Sequence, residues 1–276
     1  MILGKGLPNL GNTCYLNSIL QCLRYSKPFV FLLKEYDGRK ETPMMRNFID
    51  LLYAGASKTS LNIFVHSLAV NSSEFKLLRQ CDAHEFYLYV VDTLYRKGFK
   101  YKNVFKGCCQ STVTCSICNN KSITITPFIS LSLQMITNES ASVETLLNNY
   151  CEVESLVDKI DCDSCGIKTD STRQINISET PSMLVIHLKR FKAFVKDTTP
   201  VKINQSLTIN GTQYILNSIC NHSGGVGSGH YTAACRKRDG TWIMCNDDFL
   251  TELSRLPTES PAPYILFYRI KDKQNT

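Results

Sequence analysis

The chain has 276 residues and a mass of 31.2 kDa, with 43% hydrophobic and 20% charged residues. Those proportions support a buried core and exclude disordered, collagen-like and low-complexity classes. Lysine and arginine number 31 against 24 acids, but the excess is dispersed. Its densest cluster, Arg236-Lys237-Arg238, reads as a solvated strand end rather than a nucleic-acid patch.

In chain order, residues 1–9 lack an apolar stretch of signal-peptide length and are interrupted by Gly6 and Pro8. From Thr13, the spacing of Leu16, Ile19, Leu20 and Leu23 predicts a helix. Residues 28–33 are an apolar run of core size, far short of the ~20 needed to span a bilayer. Met44, Met45, Phe48, Leu51 and Leu52 predict a second helix, and Phe86, Val90 and Leu94 a third starting near Cys81. After Gly107 the pattern alternates. Ile123, Ile125, Ile129, Leu131 and Leu133 read as strand, with Pro127 at a bulge or edge. A short helix follows over 143–150, then strands over 172–177, 183–191, 214–220, 230–236, 242–246 and 264–270. Helices first and mostly antiparallel sheet afterwards make the fold class α+β.

The 13 cysteines are odd in number, and no export signal accompanies them. Metal ligation or a reactive thiol is therefore expected instead of a disulfide framework. Three constellations carry chemistry. First, Gly6, Pro8 and Gly11 break structure just before Cys14, and Asn12 or Thr13 can cap the helix that follows. A cysteine in a first helical turn faces unpaired amides, which favour thiolate; the alternative is a small buried apolar residue. Second, the loop Gly224-Gly225-Val226-Gly227-Ser228-Gly229 leads into His230, and a hairpin can return Asn246 or Asp247 to its side. That arrangement has the logic of a Cys-His-Asn triad, while a polar strand edge and an Asn-Asp turn remain the alternative. Third, Cys115-x-x-Cys118 and Cys162-x-x-Cys165 can each give two thiolates to a closed, structural zinc site, with four unrelated thiols or a redox pair as rivals.

These segments, read together, resemble the ubiquitin-specific proteases, papain-like deubiquitinating enzymes with a thumb–palm–fingers fold. The resemblance runs from Gly6 to Tyr268. It is carried by the cysteine box at 6–18, by Gln80-Cys81-Asp82-Ala83-His84-Glu85-Phe86, and by His187-Leu188-Lys189-Arg190-Phe191. Asn221-His222-Ser223-Gly224 with Gly229-His230-Tyr231, residues 242–248, and Tyr264-Ile265-Leu266-Phe267-Tyr268 complete it. The resemblance implies a single catalytic domain over 1–276: a helical thumb at about 1–105, zinc-stapled β fingers at 106–180, and an antiparallel β palm at 181–276. It implies Cys14 as nucleophile, His230 as general base, and Asn246 as the residue that orients it, with Asp247 sharing that task. Asn9 would donate to the oxyanion. Asp82 and Glu85 would hold arginines of the ubiquitin tail, which Gly229 and Tyr231 would flank. Cys115, Cys118, Cys162 and Cys165 would bind structural Zn2+. Cys81 and Cys245 depart from the family's usual wording, and repacking is expected there.

The expected activity is thiol-dependent cleavage of the bond after ubiquitin's C-terminal glycine. The expected partners are ubiquitin and ubiquitinated proteins, with no nucleic acid and no membrane. The chain is expected to act as a monomer in the cytoplasm, the nucleus or both. A non-catalytic ubiquitin-binding module and a protease for a ubiquitin-like modifier are the alternatives.

Overall fold

Apolar residues at three- and four-residue spacing become helices throughout the first hundred positions. The computed structural model describes residues 5–35, 43–53, 57–75, 79–96, 104–136, 138–192 and 195–271. Its first part contains α1 (Cys14–Arg24), α2 (Lys27–Glu35), α3 (Pro43–Tyr53), α4 (Lys58–Asn71) and α5 (Ala83–Arg96). A middle part follows: β1 (Gly107–Cys115), β2 (Lys121–Phe128), β3 (Leu131–Gln134), β4 (Ala141–Ser142), α6 (Val143–Cys151), β5 (Glu154–Ser155), β6 (Ile160–Cys162), β7 (Ile167–Thr169) and β8 (Ser171–Glu179). The last part holds β9 (Met183–Lys189), β10 (Phe191–Lys192), β11 (Val195–Lys196), β12 (Val201–Lys202), β13 (Ser206–Ile209), β14 (Thr212–Gly224), β15 (Gly229–Arg236), β16 (Trp242–Asn246), β17 (Phe249–Leu253), β18 (Glu259–Ser260) and β19 (Pro263–Ile270).

An eight-stranded sheet organises the molecule. Its order is β17-β16-β15-β14-β19-β9-β3, with β13 pairing off β14. All its ladders are antiparallel except β3 with β9. Side chains alternate across it with the two-residue strand period. Met183, Val185, Ile265 and Phe267 face the helices, whereas Leu184, Ile186, Leu188, Leu266 and Tyr268 face a second core shared with α6. Burial on both faces explains why β9 and β19 read as continuous apolar runs. Residues 131–134, which the sequence places among the 106–180 segment, belong to this sheet because β3 is captured by β9.

The second assembly is the four-stranded sheet β2-β1-β8-β5, with the hairpin β6–β7 near its tip. Pro127 lies on β2, at the sheet edge where its missing N–H is harmless. Ile123 and Ile125 alternate as the sequence predicts but are exposed, 57% and 63%, because nothing among the described residues covers that edge strand.

Every residue of α1 is buried. The helix packs between α5 on one side and β14 and β15 on the other. A helix buried all round is polar at Asn17, Ser18, Gln21 and Arg24 only because each has an internal role.

Candidate active site

Gly11 and Asn12 both adopt positive φ, 89° and 61°, turning the chain sharply into α1. Thr13 is the N-cap residue, but its hydroxyl makes no cap bond. Instead it accepts from the Leu10 amide (2.9 Å) and meets Asn9 Oδ1 (3.4 Å). The expected capping by Asn12 or Thr13 is thus replaced by a loop built around Asn9, which leaves the first helical amides facing Cys14. The amides of Tyr231, Tyr15 and Cys14 itself lie toward the thiol and stabilise its thiolate. Burial nevertheless dominates, and with the charge of Asp247 it raises the Cys14 pKa above the usual thiol value. The thiol is 2% exposed. A helix tip alone therefore does not ionise Cys14, contrary to the simplest reading of its position.

The Tyr231 amide that faces Cys14 sits next in sequence to His230, at the start of β15. His230 Nε2 meets Asn246 Oδ1 at 2.6 Å and Asp247 Oδ2 at 4.0 Å. The β15–β16 hairpin makes this possible by pairing Ala233 with Cys245, so Asn246 ends its strand beside the start of β15. Asp247 follows at positive φ, 51°. Its carboxylate accepts from Asn9 Nδ2 (2.9 Å) and Asn17 Nδ2 (2.8 Å), and its carbonyl accepts from the Leu7 amide (2.8 Å). Gly6 lies so close to the Asp248 backbone that a Cβ there would clash. The N-terminal segment and the 246–248 turn are thus one hydrogen-bonded unit. Cys245, one of the two departures, fills a 2%-exposed core position under this turn.

Asp82 and Glu85 lie at the start of α5. Asp82 caps the helix, its Oδ1 accepting from the amides of His84 (2.7 Å) and Glu85 (3.0 Å). Its Oδ2 accepts from the hydroxyls of Tyr264 (2.6 Å) and Tyr231 (3.4 Å). Burial, then the charge of Asp82, pushes both phenols up, so they remain donors. Glu85 is raised by burial, then by Asp82 and Glu74. The two acids border a cleft of about 500 Å³ that also meets Gln134, His187, Lys189, His222 and Tyr264. Tyr231 lines this cleft, Gly229 lines a neighbouring depression with His230, and Gln80 forms a reciprocal amide pair with the Gly229 backbone.

Four side chains escaped the reading of single residues. Asn17 anchors Asp247; its signal was a polar residue three positions after Cys14 on a helix that is buried all round. Gln80, His222 and Tyr264 stood in quoted segments without a role. His222 packs so closely on Gly229 that a Cβ at 229 would overlap its ring.

The four cysteines of the two C-x-x-C units converge, all sulfurs lying within 4.8 Å of one another. Cys115 and Cys165 sulfurs are 4.0 Å apart, and those of Cys118 and Cys162 are 3.6 Å apart. A tetrahedral ion at ~2.3 Å from each sulfur requires about 3.8 Å between them, so the set fits zinc. The Thr169 hydroxyl, then the amides of Cys118 and Ile117, hold the Cys115 thiol down at about 6. Among the described residues, no helix is long and apolar enough to cross a membrane.

Comparison with known proteins gives the chain's family. A family model described as "Ubiquitin carboxyl-terminal hydrolase" matches residues 5–268. Ubiquitin carboxyl-terminal hydrolase 23 of Arabidopsis thaliana is 28% identical over 99% of this chain and 36% of its own length. Ubiquitin carboxyl-terminal hydrolase nonstop of Drosophila melanogaster is 28% identical over 96% of this chain and 67% of its own length. A solved Ubp8–Sgf11–Sus1–Sgf73 SAGA DUB module bound to monoubiquitin superposes with a TM-score of 0.88 at 24% identity, over 98% of this chain and 69% of that one. The chain belongs to the ubiquitin carboxyl-terminal hydrolase family, in its ubiquitin-specific protease branch, with the α+β fold of such proteases. It spans about a third to two thirds of the curated relatives named here.

Proposed function

We propose that this chain is a deubiquitinating thiol hydrolase working through Cys14, His230 and Asn246. The observation that carries the reading is the meeting at one corner of three elements. The α1 start bears Cys14, the Tyr231 amide of β15 faces its thiol, and the adjacent His230 is held by Asn246 at 2.6 Å. The relatives' shared name supports ubiquitin as the modifier.

Because burial keeps the resting thiol protonated, His230 acts as a general base on Cys14 as the sulfur attacks the carbonyl of the modifier's last glycine. Asn9 gives one amide hydrogen to Asp247 and retains a second for the oxyanion, which the Cys14 amide also meets. The imidazolium then protonates the leaving lysine amine. Water activated by His230 hydrolyses the thioester and frees Cys14. Asn246 orients the ring throughout, while Asp247 fixes Asn9 and Asn17 and adds its charge at longer range.

The cleft between α5 and β9 would receive the modifier's tail, with Glu85 facing its cations. Asp82 would act there chiefly by holding Tyr264 and the helix start. Ile123 and Ile125, exposed on one face of β2, would meet the globular part of the modifier. Cys115, Cys118, Cys162 and Cys165 would hold a zinc ion, which supplies folding free energy at the fingers' tip and no chemistry at Cys14.

Hydrolysis of a ubiquitin C-terminal fluorogenic amide tests the assignment. Wild type should turn over, and Cys14→Ala should not. Equal rates would remove Cys14 as nucleophile, and hydrolysis only of a ubiquitin-like modifier's amide would replace the substrate.

A further inference from the structure

Away from the candidate active site, a well-formed cavity lies at the C-terminal end of α1. It measures about 610 Å³ and is lined by Arg24, Lys27, Arg236, Lys237, Arg238 and Arg269. Among the described residues the lining holds six cations and one carboxylate, Asp239, against a whole-chain excess of seven positive charges. Residues 236–238, which read in sequence as a solvated strand end, thus meet three cations from remote parts of the chain. At 1.5 Å per residue, the 11-residue α1 places Arg24 about 15 Å from Cys14.

Two further observations mark a built site. Arg24 is 4% exposed, and its Nη1 donates to the Lys5 carbonyl (3.1 Å) and to Gln21 Oε1 (3.4 Å), so the guanidinium is held in place. Burial lowers its pKa, which an anion beside it would reverse. Asn217, 3% exposed, also lines the cavity. It is the extra residue of a β-bulge, where Leu216 pairs with Tyr268 and Ser218 with Phe267. The bulge places a buried amide outside the ladder, at the cavity. Within the lining, Asp239 has one carboxylate oxygen committed to Thr241, and Lys237 is paired with Glu252 at 2.6 Å.

We infer that this cavity binds a small molecule carrying at least two phosphate groups. The volume lies in the small-ligand range of roughly 300–1,000 Å³, and a concave site suits a compact ligand better than a duplex or an extended peptide. Four of the six cations are arginines, whose planar forks bind phosphate oxygens bidentately. Val30 and the 63%-exposed Phe31 add an apolar wall for the ligand's carbon frame.

Calorimetric titration of the full chain at fixed salt tests this with inositol hexakisphosphate, pyrophosphate and benzene hexacarboxylate. Both phosphate compounds should bind saturably, and the hexacarboxylate about tenfold more weakly than inositol hexakisphosphate. Arg236→Gln with Arg269→Gln should weaken the phosphate compounds by about tenfold or more. Arg238→Gln, on the exposed turn, is the variant that cannot disturb the core, and it should weaken them by about threefold. Lys121→Gln with Lys168→Gln removes the same charge from the distant fingers and should leave binding unchanged. Several results would each overturn the inference: no saturable binding, equal weakening by the finger variant, carboxylate binding as tight as phosphate, or a duplex oligonucleotide that binds where the small phosphates do not.

Discussion

Asn246 and Asp247 are adjacent in sequence yet do different things to the same histidine. Asn246 Oδ1 touches His230 Nε2 at 2.6 Å, whereas Asp247 stands 4.0 Å away and is committed to Asn9 and Asn17. Asn246→Ala should therefore lower kcat by about 10²-fold through loss of ring orientation, and leave the pH midpoint of Cys14 alkylation in place. Asp247→Asn removes a negative charge that raises the Cys14 pKa. The alkylation midpoint should then move to lower pH, because the thiolate is no longer opposed by that carboxylate. Alkylation rates followed against pH, beside steady-state kinetics, separate the two; identical behaviour of both variants would contradict the division of labour. A third residue is constrained by space. Gly229→Ala places a methyl group on the buried His222 ring, so the start of β15 must shift. Activity should fall by at least about tenfold while the melting temperature moves little. Unchanged turnover would mean that the 229–230 backbone has room the geometry denies.

The interface of α5 with the palm sheet joins the site to the fold. His84 on α5 stacks on His187 of β9 with ring centroids 3.9 Å apart, and each ring meets a serine hydroxyl, Ser130 and Ser132. Burial lowers His84 to about 4; burial, then His84 and Lys189, lowers His187 to about 3. Both folded values lie below the unfolded value of about 6.5, so the unfolded chain binds more protons between them. Stability should be full above about pH 6.5 and fall as pH drops toward 4, by up to about 1.4 kcal/mol per pH unit per histidine. Denaturant unfolding at pH 7 and 5 measures this. His84→Gln with His187→Gln should flatten the acid-side slope, and an unchanged slope would place the acid sensitivity elsewhere. Asp82→Ala, at the same helix start, should cost about 1–2 kcal/mol through loss of the cap and of the tyrosine hydroxyl contacts, while Asp82→Asn retains an acceptor for the helix amides. A rise in KM for Asp82→Asn at constant stability would give the carboxylate a direct part in binding. The strands β9, β15, β16 and β19 followed from local period to within two residues and α5 by its start, because each buries a whole face, whereas β14, read as 214–220, runs from 212 to 224. Elements with little local signal were not legible. Short strands such as β5 and β12 exist only through pairing, and α4 buries few of its residues. The basic cavity was illegible for a related reason, since Arg24, Arg236 and Arg269 come together only in three dimensions. Asp82 falls inside the helix that the sequence starts near Cys81, and the structure makes it the cap before that helix begins.

The molecule as a whole divides its stability unevenly. The eight-stranded sheet has a buried core on each face, built from Leu, Ile, Phe and Tyr side chains. The sheet β2-β1-β8-β5 has much less: β2 is exposed or half-buried throughout, and Ile160 and Ile167 of the β6–β7 hairpin are exposed. A two-stranded ribbon of three residues on each strand cannot hold itself by apolar burial. Its tip nevertheless has ordered turns, with the amides of Cys165 and Gly166 donating to the Cys162 carbonyl and the amide of Asn119 donating to the Cys115 carbonyl. Four convergent cysteine sulfurs could hold one ion, which would supply what the missing core does not. Elemental analysis of the purified chain should accordingly find about one zinc per molecule. Stripping it with a chelator should raise amide hydrogen exchange first in residues 157–170 and at the β1–β2 turn, while β14, β15 and β19 keep their protection. Hydrolysis of a small C-terminal peptide amide should then survive better than hydrolysis of a full-length ubiquitin amide, because the proposed catalytic corner rests on the large sheet and the proposed contact with the modifier's body on the sheet that carries the cysteines. Uniform loss of protection across both sheets would show a single cooperative unit, and unchanged exchange at 157–170 would mean that the ribbon stands without metal.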